Sequence, residues 1–140
     1  MKIQELRGAF EQLDGWIWLP RYIDKIRLNQ RGKLPPDYVE CLGSRTDGLW
    51  LAEVGLSHEG FAAAVRDLRD DNAIIGWLRP HVAKSPEEKV CFNQWLADRP
   101  DATDRALLAW FQKRKADYGL SHRTDITTLL HLVEADEGRM

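Results

Sequence analysis

The chain has 140 residues, 44% of them hydrophobic, and sets 20 basic side chains against 22 acidic ones for a formal charge of −2. That length suits one hydrophobic core, and the charge balance supplies no overall attraction to nucleic acid or to an anionic membrane. Cys41 and Cys91 stand far apart with no CxxC spacing or histidine neighbour, which argues against a disulfide framework and against zinc and reads both as buried thiols.

Charges in Met1-Lys2-Ile3-Gln4-Glu5-Leu6-Arg7 break up what would have to be an apolar signal core. The longest apolar runs, Leu49 to Ala52 and Ala73 to Leu78, fall far short of the roughly 20 residues of a membrane span. The expectation is a soluble cytoplasmic protein with no membrane segment.

Ile3, Leu6, Phe10 and Leu13 fall on one helical stripe and predict a short amphipathic first helix. Trp18, Leu19, Tyr22, Ile23 and Ile26 share a face of a second, which Gly32 and the Pro35-Pro36 pair stop; a loop carrying Tyr38 and Cys41 follows. A third helix is expected over Asp47 to Val54, closed by Gly55, and Ser57 caps a fourth that buries Phe61, Val65 and Leu68. Asp70 or Asp71 caps a fifth with Ile74, Ile75 and Leu78 inward, ending near Pro80.

Ser85-Pro86-Glu87-Glu88 combines a serine cap, a proline at the first helical position and the reciprocal glutamate of a capping box, so a helix should run from Pro86 to Ala97. The next has Asp101 and Asp104 near its start, the stripe Ala106, Leu107, Trp110 and Phe111, and Lys113, Arg114 and Lys115 near its end, an order that suits the macrodipole. Thr124 or Asp125 can cap a last helix that turns Ile126, Leu129, Leu130 and Val133 inward before the tail Asp136-Glu137-Gly138-Arg139. With no comparable alternating pattern, the expected fold is all-α, a compact single-domain bundle of about six to eight short helices over residues 1–140. Trp18, Trp50, Trp77, Trp95 and Trp110 would fill the junctions between helices, with Trp18, Tyr22, Ile26, Trp95, Trp110 and Phe111 largely buried.

Trp18-Leu19-Pro20-Arg21-Tyr22-Ile23-Asp24-Lys25, the Ser85 to Glu88 and Asn93-Gln94-Trp95 region, and Arg123-Thr124-Asp125-Ile126-Thr127-Thr128 with the tail together resemble an uncharacterised bacterial family catalogued as a domain of unknown function. The resemblance runs nearly end to end. It implies a bacterial, soluble, single-domain protein and carries no assigned catalytic residues.

Pro20 restricts Leu19 to an extended conformation, which makes Leu19 the N-cap of the second helix and Pro20 its first residue. A leucine side chain cannot accept from the N–H groups of Arg21, Tyr22 or Ile23, so these must find partners elsewhere. Arg21 and Lys25 lie one turn apart beside the positive end of the helix dipole, which suits a carboxylate or phosphate held by Arg21, Tyr22 and Lys25. Asp24 offers Arg21 an internal partner, and the alternative is a solvated charged face, or pairing of Arg21, Asp24 and Lys25 with Asp125 or Glu137.

Residues 21–33 also carry Arg21, Lys25, Arg27, Arg31 and Lys33 against Asp24 alone, but no nucleic-acid motif accompanies them. His58, His81, His122 and His131 have no ligand spacing, so no metal and no cofactor is expected, and Ser57-His58 and Ser121-His122 read as caps or turns. Two functions remain. One is a helical binding or interaction module without intrinsic catalysis, centred on the start of the second helix and on Arg123 to Thr128, with an unknown protein as partner. The other is recognition or turnover of a small anionic metabolite at the same helix start, with Asp24 or Asp125 carrying a proton.

Overall fold

The structure, a computed structural model, describes residues 5–140. Its elements in chain order are β1 (Gln12–Leu13), β2 (Trp16–Ile17), α1 (Leu19–Gln30), α2 (Pro36–Cys41), α3 (Arg45–Val54), α4 (His58–Asp67), α5 (Asp71–His81), α6 (Pro86–Ala97), α7 (Arg105–Asp117) and α8 (Leu129–Asp136). The fold is mostly α, as its helical periodicity requires.

The expected first helix is replaced by a hairpin. Ile3 lies outside the described residues, and the stretch from Glu5 to Leu13 contains no helix. Asp14 and Gly15 both take positive φ, 51° and 84°, the backbone of a two-residue type I′ turn, so Leu13 pairs with Trp16 and Gln12 with Ile17. The Asp-Gly turn therefore outweighs the helical spacing of Leu6, Phe10 and Leu13.

Other boundaries follow local chemistry. The segment after Pro35 is helical rather than a loop, because Pro35 is extended at φ −60°, ψ 150° and Pro36 opens α2 at a position where its missing N–H costs nothing. Gly55 closes α3 in the left-handed region at φ 74°. Ser57 Oγ accepts from Gly60 N at 3.0 Å, Asp70 rather than Asp71 accepts from Ala73 N at 2.8 Å, and Asp104 accepts from Leu107 N at 3.1 Å. The capping box at α6 is reciprocal: Glu88 N donates to Ser85 Oγ, and Ser85 N to Glu88 Oε1, each at 3.1 Å. At α8 the cap is Thr128, which accepts from His131 N at 3.2 Å, not Thr124 or Asp125. Ile126 consequently precedes the helix, although it is buried.

The described chain divides into two compact units, residues 5–90 and 91–140. In the first, α1 packs on α4 and α4 on α5 around Tyr22, Ile23, Ile26, Phe61, Ile74 and Leu78. Trp50 stands edge-on to Trp16 at 6.2 Å and to Tyr22 at 6.0 Å, and tilts against Phe61 at 5.0 Å, geometries that suit aromatic quadrupoles. In the second unit Phe111, Ile126 and Leu132 form a buried cluster packed by Leu108, Leu120, Leu129 and Ala135.

Two tryptophans expected inside are outside. Trp95 is 47% and Trp110 39% exposed, each covered by a guanidinium: Arg99 lies 4.8 Å from the Trp95 ring and Arg114 5.4 Å from Trp110. An indole can take this position because its face attracts a cation while its body covers surface. α7 buries Phe111 and Lys115 instead. The cysteines are free thiols, but Cys41 is half-buried and Cys91 exposed, so neither is the buried thiol expected. Among the described residues no helix is long and apolar enough to cross a membrane.

Candidate functional site

α1 begins one residue earlier than expected. Leu19 is helical, and its cap is Trp18, in the left-handed region at φ 72°, ψ −30°, with its carbonyl accepting from Tyr22 N at 3.0 Å. A non-glycine residue there costs roughly 1–2 kcal/mol, so tertiary contacts must hold it. They do: the Trp18 indole donates to Asp47 Oδ1 at 2.7 Å, and Asp47 Oδ2 meets Lys25 Nζ at 2.7 Å and Gly43 N at 3.0 Å. Lys25 Nζ also lies 5.4 Å from the Trp18 ring. A carboxylate with no exposed surface thus receives two neutral donors and one cation, which offsets the cost of burying its charge.

The residues expected to hold an anion are brought together here, and both cations are buried. Arg21 and Lys25 are each 3% exposed, and the Arg21 guanidinium sits between Trp18 at 5.2 Å and Tyr38 at 5.8 Å while donating to the Arg7 carbonyl at 3.4 Å. Asp24 is engaged by Arg7 rather than by Arg21, accepting from Arg7 N at 2.9 Å, Nε at 3.0 Å and Nη2 at 3.1 Å. Arg7 continues to Asp71 at 2.6 Å, and Asp71 to Arg27 at 3.4 Å. Burial works against the Arg7 charge, yet the hydrogen bonds to Asp24 and Asp71 raise its pKa; the same bond from Arg7 lowers that of Asp71.

Tyr22 is fully buried, with its hydroxyl 2.6 Å from His58 Nδ1 and the two rings stacked at 5.9 Å. Burial, then the charges of Asp47 and Glu59, push the phenol pKa up, so Tyr22 keeps its proton. Gly43 makes room for this pair: at φ 74°, a Cβ there would lie 2.5 Å from His58 Cγ. Arg21 and Lys25 are enclosed in this network, whereas Arg7 and Arg27 reach solvent at its edge.

Asp125 is held in the other unit by its neighbour. Arg123 Nε and Nη2 donate to its two oxygens at 2.8 and 2.6 Å, and the hydrogen bonding from Arg123 brings the carboxyl down to about 2. Lys115, only 8% exposed, donates to the carbonyls of Arg123 at 2.5 Å and Ile126 at 3.0 Å and so shapes the Arg123 to Thr128 segment. Glu137, 1% exposed, pairs with Arg139.

Open space with convergent charge lies elsewhere in residues 5–90. A cleft of about 310 Å³ is lined by Asp14, Trp16, Leu78, Arg79, Val82, Lys84 and Lys89. The hairpin turn supplies Asp14, the end of α5 supplies Arg79, and the start of α6 supplies Lys89. Lys89 Nζ donates to the Asp14 carbonyl at 2.8 Å, lies 3.4 Å from Asp14 Oδ2, and sits 5.7 Å from the Trp16 ring. Arg79 Nη2 reaches Asp14 Oδ1 at 3.4 Å, and Lys84 pairs with Glu53 at 3.0 Å and Glu88 at 3.6 Å. The sequence signal for this site was Asp14-Gly15 between Leu13 and Trp16, a hairpin dipeptide flanked by apolar residues.

Among the described residues no group of three or more His, Cys, Asp or Glu side chains could hold a metal ion. No curated protein matches the chain. A family match covers residues 3–139, nearly the whole sequence. The chain therefore belongs to the family described as Domain of unknown function (DUF5069).

Proposed function

We propose that the chain is a binding module for a small anionic ligand, held in the cleft beside the hairpin turn. One observation carries the reading: the cleft lining has Arg79, Lys84 and Lys89 against the single carboxylate of Asp14, beside the half-buried Val82. Concave surface with a few convergent charges is the usual form of a small-molecule site. The ion pairs of Arg79 and Lys84 do not preclude it. The Arg79 side chain is 71% exposed and that of Lys84 27%, and pairs in that setting contribute about 0–1 kcal/mol, so a ligand can exchange for them at little cost.

In this reading Arg21, Tyr22, Asp24 and Lys25 are the framework that fixes α1, and the anion contacts fall to residues farther along the chain. Calorimetric titration with inorganic phosphate and with sodium butyrate tests it. The parent should bind at millimolar concentration, Lys89→Met and Lys84→Ala should weaken binding, and Arg31→Ala should leave it unchanged. No heat of binding from either anion, or equal binding by parent and Lys89→Met, would remove the cleft as the site.

A further inference from the structure

The cleft already contains a carboxylate, and its geometry bears on the ligand. Asp14 presents Oδ2 to Lys89 and Oδ1 to Arg79, each at 3.4 Å, so one planar carboxylate touches both cations through its separate oxygens. Both contacts are long for charge-assisted hydrogen bonds, which ordinarily close to about 2.7–2.9 Å. Lys89, by contrast, does not depend on the Asp14 side chain. Its ammonium is anchored by the Asp14 backbone carbonyl at 2.8 Å and lies beside the Trp16 ring. Its stem runs against Gly15, where an added Cβ would come within 3.1 Å of Lys89 Cδ. The lysine is thus held in place by backbone and packing, and the carboxylate next to it is the replaceable part.

Building on the anion-cleft reading, we propose that Asp14 is a resident competitor occupying the position of a ligand carboxylate, and that the ligand is a small carboxylate. A ligand carboxylate exchanges places with that of Asp14, taking both cations while the Asp14 side chain turns to water. Phosphate, with tetrahedral oxygens, uses the charge of the site but not the planar two-oxygen geometry that Asp14 presents to Arg79 and Lys89.

Two variants test this. Asn and Gly both tolerate the left-handed conformation Asp14 adopts at φ 51°, so Asp14→Asn and Asp14→Gly should keep the turn. Loss of the competing charge should tighten sodium butyrate binding by roughly twofold to fivefold, the size expected for release of a partly exposed ion pair. Adding Lys89→Met to either variant should abolish that gain, and phosphate should gain less than butyrate. Asp14 variants that bind butyrate no more tightly than a binding-competent parent overturn the competitor role and leave the cleft intact. A larger gain for phosphate overturns the assignment to carboxylates. Absence of butyrate and phosphate binding by the parent and both variants, with unchanged thermal melting, overturns the anion cleft itself.

Discussion

Lys25 and Asp47 form an ion pair at 2.7 Å in which the side chains are 4% and 0% exposed. Their pairing ties together the motif from Trp18 to Lys25: the same carboxylate accepts from the Trp18 indole, and Trp18 caps the helix in the left-handed region. Removing one member of a buried pair leaves the other charged and unmatched, at a cost of about 3–5 kcal/mol. Asp47→Ala should lose that much in urea denaturation. Lys25→Met should lose less, since Asp47 keeps its bonds from Trp18 and Gly43. A loss under about 1 kcal/mol for Asp47→Ala would show that the network does not support the fold.

Gly43 and His58 allow a steric argument to be isolated. Gly43→Ala should cost roughly 1 kcal/mol for the left-handed backbone and a further 1–3 kcal/mol for the collision with His58. In a His58→Ala background only the backbone part should remain. A double-mutant cycle that returns no coupling between the two positions would contradict the contact.

Neighbouring aromatics on α7 should behave oppositely. Phe111 is 2% exposed, so Phe111→Ala should destabilise by about 3–5 kcal/mol, whereas Trp110→Ala should cost less, because Trp110 is 39% exposed. Equal shifts in the unfolding midpoint would mean that Trp110 also faces a core.

The Asp125 carboxyl, lowered by its hydrogen bonds from Arg123, should titrate near 2 when followed by carbon NMR. Because the folded value lies below the ordinary one of about 3.9, the pair favours the native state above that pH and its contribution fades as pH falls toward 2. Arg123→Ala should return the midpoint toward 3.9. A parent midpoint already at the ordinary value would rule out the pair.

Much of the helical layout was legible because caps are local. Ser57, Ser85 and Asp104 each accept from a backbone N–H three residues on, a relationship fixed within one helical turn. The first segment misled because Leu6, Phe10 and Leu13 satisfy helical spacing while the dipeptide that decides the backbone comes after them. At Trp18 the local rule favoured Leu19 as cap, and a partner 29 positions away in sequence reversed it.

Sequence by itself determined the α-rich class, the α6 capping box and the cationic character of Arg21 and Lys25, since periodicity, caps and charge belong to residues and their near neighbours. That Lys25 meets a buried carboxylate, and that Arg21 lies between Trp18 and Tyr38, was decided by tertiary structure alone. Asp47 approaches Lys25 only after α1 and α3 have folded, and desolvation acts on a charge only once packing has excluded water. The cleft has the same origin: Asp14, Arg79 and Lys89 belong to three separate elements, and no spacing along the chain relates them.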